Sequence, residues 1–238
     1  MTALAHIQKG RALMPRRVML YGVHGVGKST FGAMAATKYA DVLGSLSALY
    51  TEEHGYQSVV IDSLDWLERL IWAEVCAKRG VETIEDIGYA KGYVFALTQW
   101  REVLAGLDAL RTERGMQVVL IAHAAIEKFA NPETDTYDRY VPRLQKLASA
   151  LIQEWCDEVL FATYRVHTKT QSEGFDRKRT QGIGTGERVL RATERPAHLA
   201  KNRLNLPDEL PLDYRIYAAH AHGEVAAPSE SQETSAEI

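Results

Sequence analysis

The clearest chemistry in the chain sits in nine consecutive residues, Gly22-Val23-His24-Gly25-Val26-Gly27-Lys28-Ser29-Thr30. The first eight fit G-x-x-x-x-G-K-[ST], the phosphate-binding loop or P-loop. Its glycines let the backbone wrap a phosphate group with N–H groups turned inward. The helix that such a loop opens adds partial positive charge at the same place. In that geometry Lys28 reaches the β- and γ-phosphates of a nucleoside triphosphate, and the Ser29 hydroxyl ligates Mg2+. Thr30 either adds a phosphate or sugar contact or is an ordinary first-turn helix residue.

Two further polar residues end apolar runs. Asp62 follows Val59-Val60-Ile61; a carboxylate there holds Mg2+ through water, or else caps the helix that follows. His123 follows Val118–Ala122. At the carboxyl end of a parallel strand it faces the ligand crevice and can sense a γ-phosphate; the alternative is a histidine hydrogen-bonded within the sheet.

Positive charge is concentrated late in the chain. Residues 161–205 hold ten Lys/Arg against four Asp/Glu, a local balance of +6 in a chain of net charge −3. Arg177-Lys178-Arg179 falls in a glycine-rich connection from which cations reach a phosphate backbone. A second segment, with Lys128, Phe129, Tyr137, Arg139, Tyr140 and Arg143, interleaves cations with aromatic rings. That mixture suits single-stranded nucleic acid, whose bases stack on rings while its phosphates meet cations. Both segments also read as ordinary solvated surface.

These residues need a scaffold of short buried strands alternating with helices. Val18–Tyr21, Ser58–Asp62 and Gln117–Ala122 are apolar runs that read as buried strands. Helices are expected from Lys28 to about Ala40, over Asp41–His54, over Ser63–Lys78 with Gly80 as its stop, over Tyr93–Arg114, and over Arg143–Trp155. Ala130–Pro142 is a polar interruption. Glu158–Val166 and Glu187–Thr193 read as an antiparallel hairpin with a long loop, and Tyr214–Tyr217 as a last strand. The pattern predicts an α/β protein with a mostly parallel, helix-covered sheet and an antiparallel hairpin near its end. The expected organisation is a short basic arm (1–16), one α/β domain (17–218) and an acidic disordered tail (219–238) with four Glu and no Lys or Arg.

Composition narrows the class. The 238 residues are 46% hydrophobic and 25% charged, enough for a packed core and wrong for collagen-like or wholly disordered chains. Two cysteines, Cys76 and Cys156, suit a reducing cytosol rather than a disulfide framework. No stretch reaches the ~20 apolar residues of a membrane helix, and residues 1–14 lack the apolar core of a signal peptide. A cytoplasmic protein without membrane contact is expected.

Taken together, GVHGVGKST, VVIDSLDWLE, VVLIAHAAIEKF and AKNRLNLP resemble the phage RecA-like ATPases, compact single-domain relatives of RecA and RadA linked to single-strand annealing and phage recombination. Lys201-Asn202-Arg203 is similar to the start of the KNRFG segment of RadA, departing from it at Leu204 and Asn205. The resemblance implies a RecA-like fold, Mg2+-dependent ATP binding, single-stranded DNA as partner and a ring or filament of identical subunits in a bacterial host cell. It further implies that His123 couples the γ-phosphate to a DNA-binding loop, and that Lys201 and Arg203 reach ATP on a neighbouring subunit. A recombination or single-strand-binding protein is a further implied partner. One element of that fold is missing: no β-branched or aromatic run between Phe31 and Gln57 supplies the strand whose acidic end would activate water. ATP binding is therefore better supported than hydrolysis. The competing readings are a P-loop kinase of small molecules, with Arg177–Arg179 as its lid, and a non-hydrolysing, nucleotide-dependent DNA scaffold.

Overall fold

The computed structural model describes residues 15–23, 37–173 and 177–221, with backbone alone considered for 167–185. In chain order the elements are β1 (Arg17–Gly22), α1 (Tyr39–Thr51), β2 (Ser58–Asp62), α2 (Leu64–Arg79), a 3-10 turn (Ile84–Ile87), α3 (Lys91–Glu113), β3 (Gln117–Phe129), β4 (Tyr137–Pro142), α4 (Lys146–Trp155), β5 (Glu158–Glu173), β6 (Arg177–Arg191), β7 (Lys201–Asn202), β8 (Glu209–Pro211) and α5 (Tyr214–Ala221). The eight strands form one mixed sheet in the order β2-β3-β1-β5-β6-β8, with β4 on β3 and β7 on β5. This is the α/β architecture the sequence implies. Among the described residues the chain divides into two compact units that interleave in sequence. One holds 15–18, 37–122 and 144–155, the other 19–23, 123–143 and 156–221.

In the first unit β2 and β3 run parallel, with Val59 opposite Val118 and Asp62 opposite Ile121. Val118–Ala122 are all buried, as strands covered on both faces must be. Helix α2 turns Leu64, Leu67, Ile71 and Val75 inward, and α3 turns Ala96, Trp100, Val103, Leu107 and Leu110 inward. Each set recurs at three- and four-residue spacing, one stripe per helix. Fully burying each such large side chain contributes roughly 1.5–3 kcal/mol. Gly80 ends α2 in the left-handed region (φ 66°), where a side chain would be strained.

Residues 37 and 38 are not helical; α1 starts at Tyr39, inside the expected boundary near Ala40. The Asp41 carboxylate explains the break, accepting the N–H groups of Thr37 (3.1 Å) and Lys38 (2.9 Å). The Thr37 hydroxyl, which donates to the same carboxylate (2.9 Å), together with those N–H groups holds the Asp41 carboxyl below the usual carboxylate range.

In the second unit the structure corrects three expectations. Strand β3 does not stop at His123 but runs on to Phe129 and pairs antiparallel with β4. The polar interruption is thus largely a hairpin. Its backbone ladder runs from Ala124 opposite Pro142 to Phe129 opposite Tyr137, whose ring centroids lie 5.5 Å apart. The late hairpin is also longer than its apolar ends suggest. Its ladder runs from Phe161 opposite Arg191 to Glu173 opposite Arg177, so the basic connection is strand rather than loop. Last, Tyr214–Tyr217 is helical. Asp213 caps α5, its carboxylate accepting the Arg215 N–H at 2.8 Å, and the helix reaches Ala221, past the expected start of the tail. The rest of the acidic tail and the arm before Pro15 lie outside the described residues.

The buried carboxylate of Glu68 on α2 accepts the Gln145 N–H with both oxygens (3.1 Å each), fastening the start of α4. Burial pushes its carboxyl up from 4.5 to about 7; Asp65 adds to the rise, while the Gln145 N–H opposes it. Between those values the folded protein holds a proton that the unfolded chain has released. Stability therefore falls as pH rises through that window. Urea unfolding at about pH 5 and about pH 8 should show a drop of up to roughly 3 kcal/mol from this group, absent in Glu68→Gln. Equal pH sensitivity of both proteins would refute the assignment.

Candidate functional site

Strand β1 delivers the P-loop. Val18, Met19, Leu20 and Tyr21 are all buried, which fixes the strand from both faces. At its end the backbone of Gly22 lies hard against β5: a β-carbon built there would stand 2.0 Å from the Ala162 carbonyl oxygen and 2.9 Å from its carbon. Glycine is required at Gly22 by this approach alone, before any demand from the turn. Gly22 and half-buried Val23 are described; His24, Gly25, Val26, Gly27, Lys28, Ser29 and Thr30 lie outside the described residues.

Asp62 ends β2, half-buried. The N-cap of α2 is Ser63, whose carbonyl accepts the N–H groups of Trp66 (3.1 Å) and Leu67 (3.0 Å). Asp62 is therefore not the helix cap, and it lines a cavity of about 100 Å³ with Trp66 and Leu46. Among the described residues no cluster of three or more His, Cys, Asp or Glu forms a metal site. Mg2+ does not need one, since it keeps several waters and takes one or two carboxylates beside phosphate oxygens. A single carboxylate at the carboxyl end of a parallel strand fits that donor set.

His123 is half-buried inside β3, not at its end, and its carbonyl accepts the Arg143 N–H at 2.8 Å. The antiparallel ladder after it, which the apolar pattern does not reveal, carries the strand on to Phe129, while the parallel ladder with β2 ends at Ile121.

The candidate DNA residues separate. Lys128 and Phe129 are exposed on the hairpin. Arg139 is not available to a phosphate: it is buried, ion-paired with Glu194, and its guanidinium lies 5.0 Å from the Phe129 ring. Half-buried Tyr140 stacks on Phe161 at 5.0 Å. Its N–H donates to the Ala197 carbonyl (2.9 Å), and its carbonyl accepts the Leu199 N–H (3.2 Å). Arg139 and Tyr140 therefore build the unit rather than a DNA surface. Arg177, Lys178 and Arg179 lie on β6 opposite Glu173, Ser172 and Gln171. The hairpin's base is held by β7 at Glu158 and Val159 and by β8 at Val189–Arg191. Residues 166–173 and 177–184 pair with one another beyond that base.

Lys201 and Arg203 come together at the start of β5. The Lys201 ammonium donates to the Cys156 carbonyl (2.6 Å), and Arg203, 57% exposed, lies 3.7 Å from the Asp157 carboxylate. Between them is a residue that motif reading missed. The Asn202 side chain accepts the N–H groups of Leu204 (3.2 Å) and Leu206 (3.0 Å) and donates to the Leu206 carbonyl (2.8 Å). It closes the turn in which Asn205 adopts φ 55°. The Asn-rich, proline-ended run Asn202–Pro207 is the signal that could have found it.

Residues 33–204 match the model of the family AAA_24, described as an AAA domain. The matched stretch begins four residues after Ser29 and covers most of both units. No curated protein matches the chain.

The contact at Gly22 gives a direct test. Gly22→Ala places a methyl group into the Ala162 carbonyl and should lower stability by about 1–3 kcal/mol, or prevent folding. Thermal unfolding of variant and wild type measures it, and an unchanged midpoint would show that the strands do not approach this closely.

Proposed function

The chain belongs to the AAA_24 family of AAA domains and is a P-loop NTPase-type protein, and from that premise we propose that it is an ATP-binding, Mg2+-dependent DNA-recombination protein. It binds single-stranded DNA, assembles with copies of itself and promotes annealing or strand exchange, with slow or no ATP hydrolysis. In this reading the P-loop amides and Lys28 hold the triphosphate, and Ser29 with Asp62 holds Mg2+. Bound Mg2+ supplies charge neutralisation at the phosphates.

The observation that carries the DNA part is the two-stranded ribbon of β5 and β6. Between positions 166 and 184 its large aliphatic residues are Val166 and Ile183, against Lys169, Arg177, Lys178 and Arg179. A ribbon of that composition cannot bury a core of its own, and its cations suit a polyanion. Its strand pairing also disfavours the kinase reading, which uses the same basic residues as a loop-like lid. Exposed Lys128 and Phe129 add a cation and a stacking ring of the kind a single strand uses. Arg203, the more exposed of the two late cations, is the better placed to reach a neighbouring copy. Slow turnover is supported by the segment before β2: among the described residues between β1 and β2, the regular element is α1, not a strand with an acidic end.

Two measurements test the reading. Lys28→Ala should abolish binding of a fluorescent ATP analogue that wild type binds with Mg2+; equal affinity would end the nucleotide assignment. Arg177→Ala/Lys178→Ala/Arg179→Ala should weaken binding of a labelled oligonucleotide. It should also flatten the log–log salt dependence by about 2, at ~0.7 per lost phosphate contact. An unchanged slope would remove the ribbon from the DNA interface.

A further inference from the structure

Tyr21 precedes Gly22 and is completely buried. Its ring packs 5.0 Å from Phe161, which stacks in turn on Tyr140 (5.0 Å) and His198 (5.2 Å). Its hydroxyl stands 2.7 Å from the Leu199 carbonyl and 3.2 Å from the Tyr140 carbonyl. A phenol has one hydrogen to give. Two carbonyls therefore share one donor, and the nearer, Leu199, is the better placed to take it. Burial raises the phenol far above its ordinary value, so it remains a donor throughout the working pH range.

The two carbonyls belong to different segments. Leu199 lies two residues before Lys201, and Tyr140 lies on β4 of the hairpin that carries Lys128 and Phe129. The segments are joined by the Tyr140–Ala197 and Leu199–Tyr140 backbone bonds. All of these groups lie in the second unit. A displacement at the end of β1 thus has a hydrogen-bonded route to both segments.

We propose that Tyr21 is a positioning residue through which phosphate occupancy of the P-loop sets the placement of the Lys201-Asn202-Arg203 turn and the β3–β4 hairpin. The inference rests on the nucleotide part of the function proposed above, and not on its DNA part.

Hydrogen exchange of the full chain, with and without Mg2+ and a slowly hydrolysed ATP analogue, tests it. In wild type, peptides covering 138–142 and 197–203 should change exchange rate by about fivefold or more on nucleotide addition. In Tyr21→Phe, which keeps the ring, the analogue should bind within about threefold of wild type while that change falls below about twofold. A merely structural hydroxyl would alter the free and loaded forms equally and leave the response intact, and an intact response overturns the proposal. Should Tyr21→Phe fail to fold, wild type decides alone: binding of the analogue with no change at 138–142 and 197–203 overturns the proposal. Failure of wild type to bind the analogue at all would overturn the nucleotide reading first and this inference with it.

Discussion

No methyl group fits between the α-carbon of Gly22 and the Ala162 carbonyl, and that contact fixes the first residue of the P-loop motif. A phosphate-binding loop works by presenting backbone N–H groups from a fixed start, so the strand before it must not move independently of the sheet. Here that strand is buried along its side chains and closed at its end by a backbone approach that only glycine allows. The Tyr21 hydroxyl then ties the same point to two segments distant in sequence. Rigidity and communication come from neighbouring residues: Gly22 fixes where the loop begins, and Tyr21 fixes what else must shift if that beginning shifts.

The late run of positive charge changes meaning once partners are assigned. Of its ten cations, Arg165 pairs with Glu187 and Glu209, Arg191 with Glu209, Arg195 with Asp208 and Arg203 with Asp157. Asp157, Asp208 and Glu209 lie outside the run, so the +6 counted along the sequence is partly neutralised in space. These pairs are partly exposed, and each is worth at most about 1 kcal/mol. Their larger effect is on the field: a cation beside a carboxylate attracts a polyanion weakly. On the proposed reading, the nucleic-acid surface is the ribbon with Lys169 and Arg177–Arg179 in its sequence, which continues past the strands that hold its base.

The parts of the fold legible in the sequence are those written in hydrophobic spacing. Helices α2 and α3 and strand β2 stand within two residues of their expected bounds, because buried stripes and a buried run leave a direct periodic trace. The parts that were not legible are held by polar pairing between distant residues. The β3–β4 hairpin has a backbone ladder that runs from Ala124 opposite Pro142 to Phe129 opposite Tyr137, and the outer ribbon has one through Thr, Gln and Ser. Neither leaves an apolar alternation to read. The same cause misplaced site residues: interleaved cations and rings look identical in sequence whether they face solvent, as Lys128 does, or close a buried cluster, as Arg139 does. The P-loop motif was legible because its spacing is imposed by a ligand's geometry rather than by packing.

The segment between β1 and β2 joins fold to turnover. A sheet that ends at β2 could expose a long edge to other chains. The edge is short, five residues, and α1 is fastened elsewhere, onto α3. The Tyr39 hydroxyl meets the Gln99 carbonyl (3.0 Å) and Glu102 carboxylate (2.8 Å), Tyr50 bonds to Glu113, and Arg114 donates to the Glu52 carbonyl at 2.7 Å. Gly106 on α3 admits Leu46 so closely that a β-carbon there would stand 3.2 Å from its methyl group. Helix α1 is therefore attached through α3, and among the described residues between β1 and β2 no strand lies beside it. That arrangement bears on function. On the proposed reading, a carboxylate that activates water needs a rigid strand end to hold it, since displacement by about 1 Å can cost roughly 100-fold in rate. On that reading, a described segment before β2 whose regular element is α1 offers no such support, which favours holding a nucleotide over splitting it.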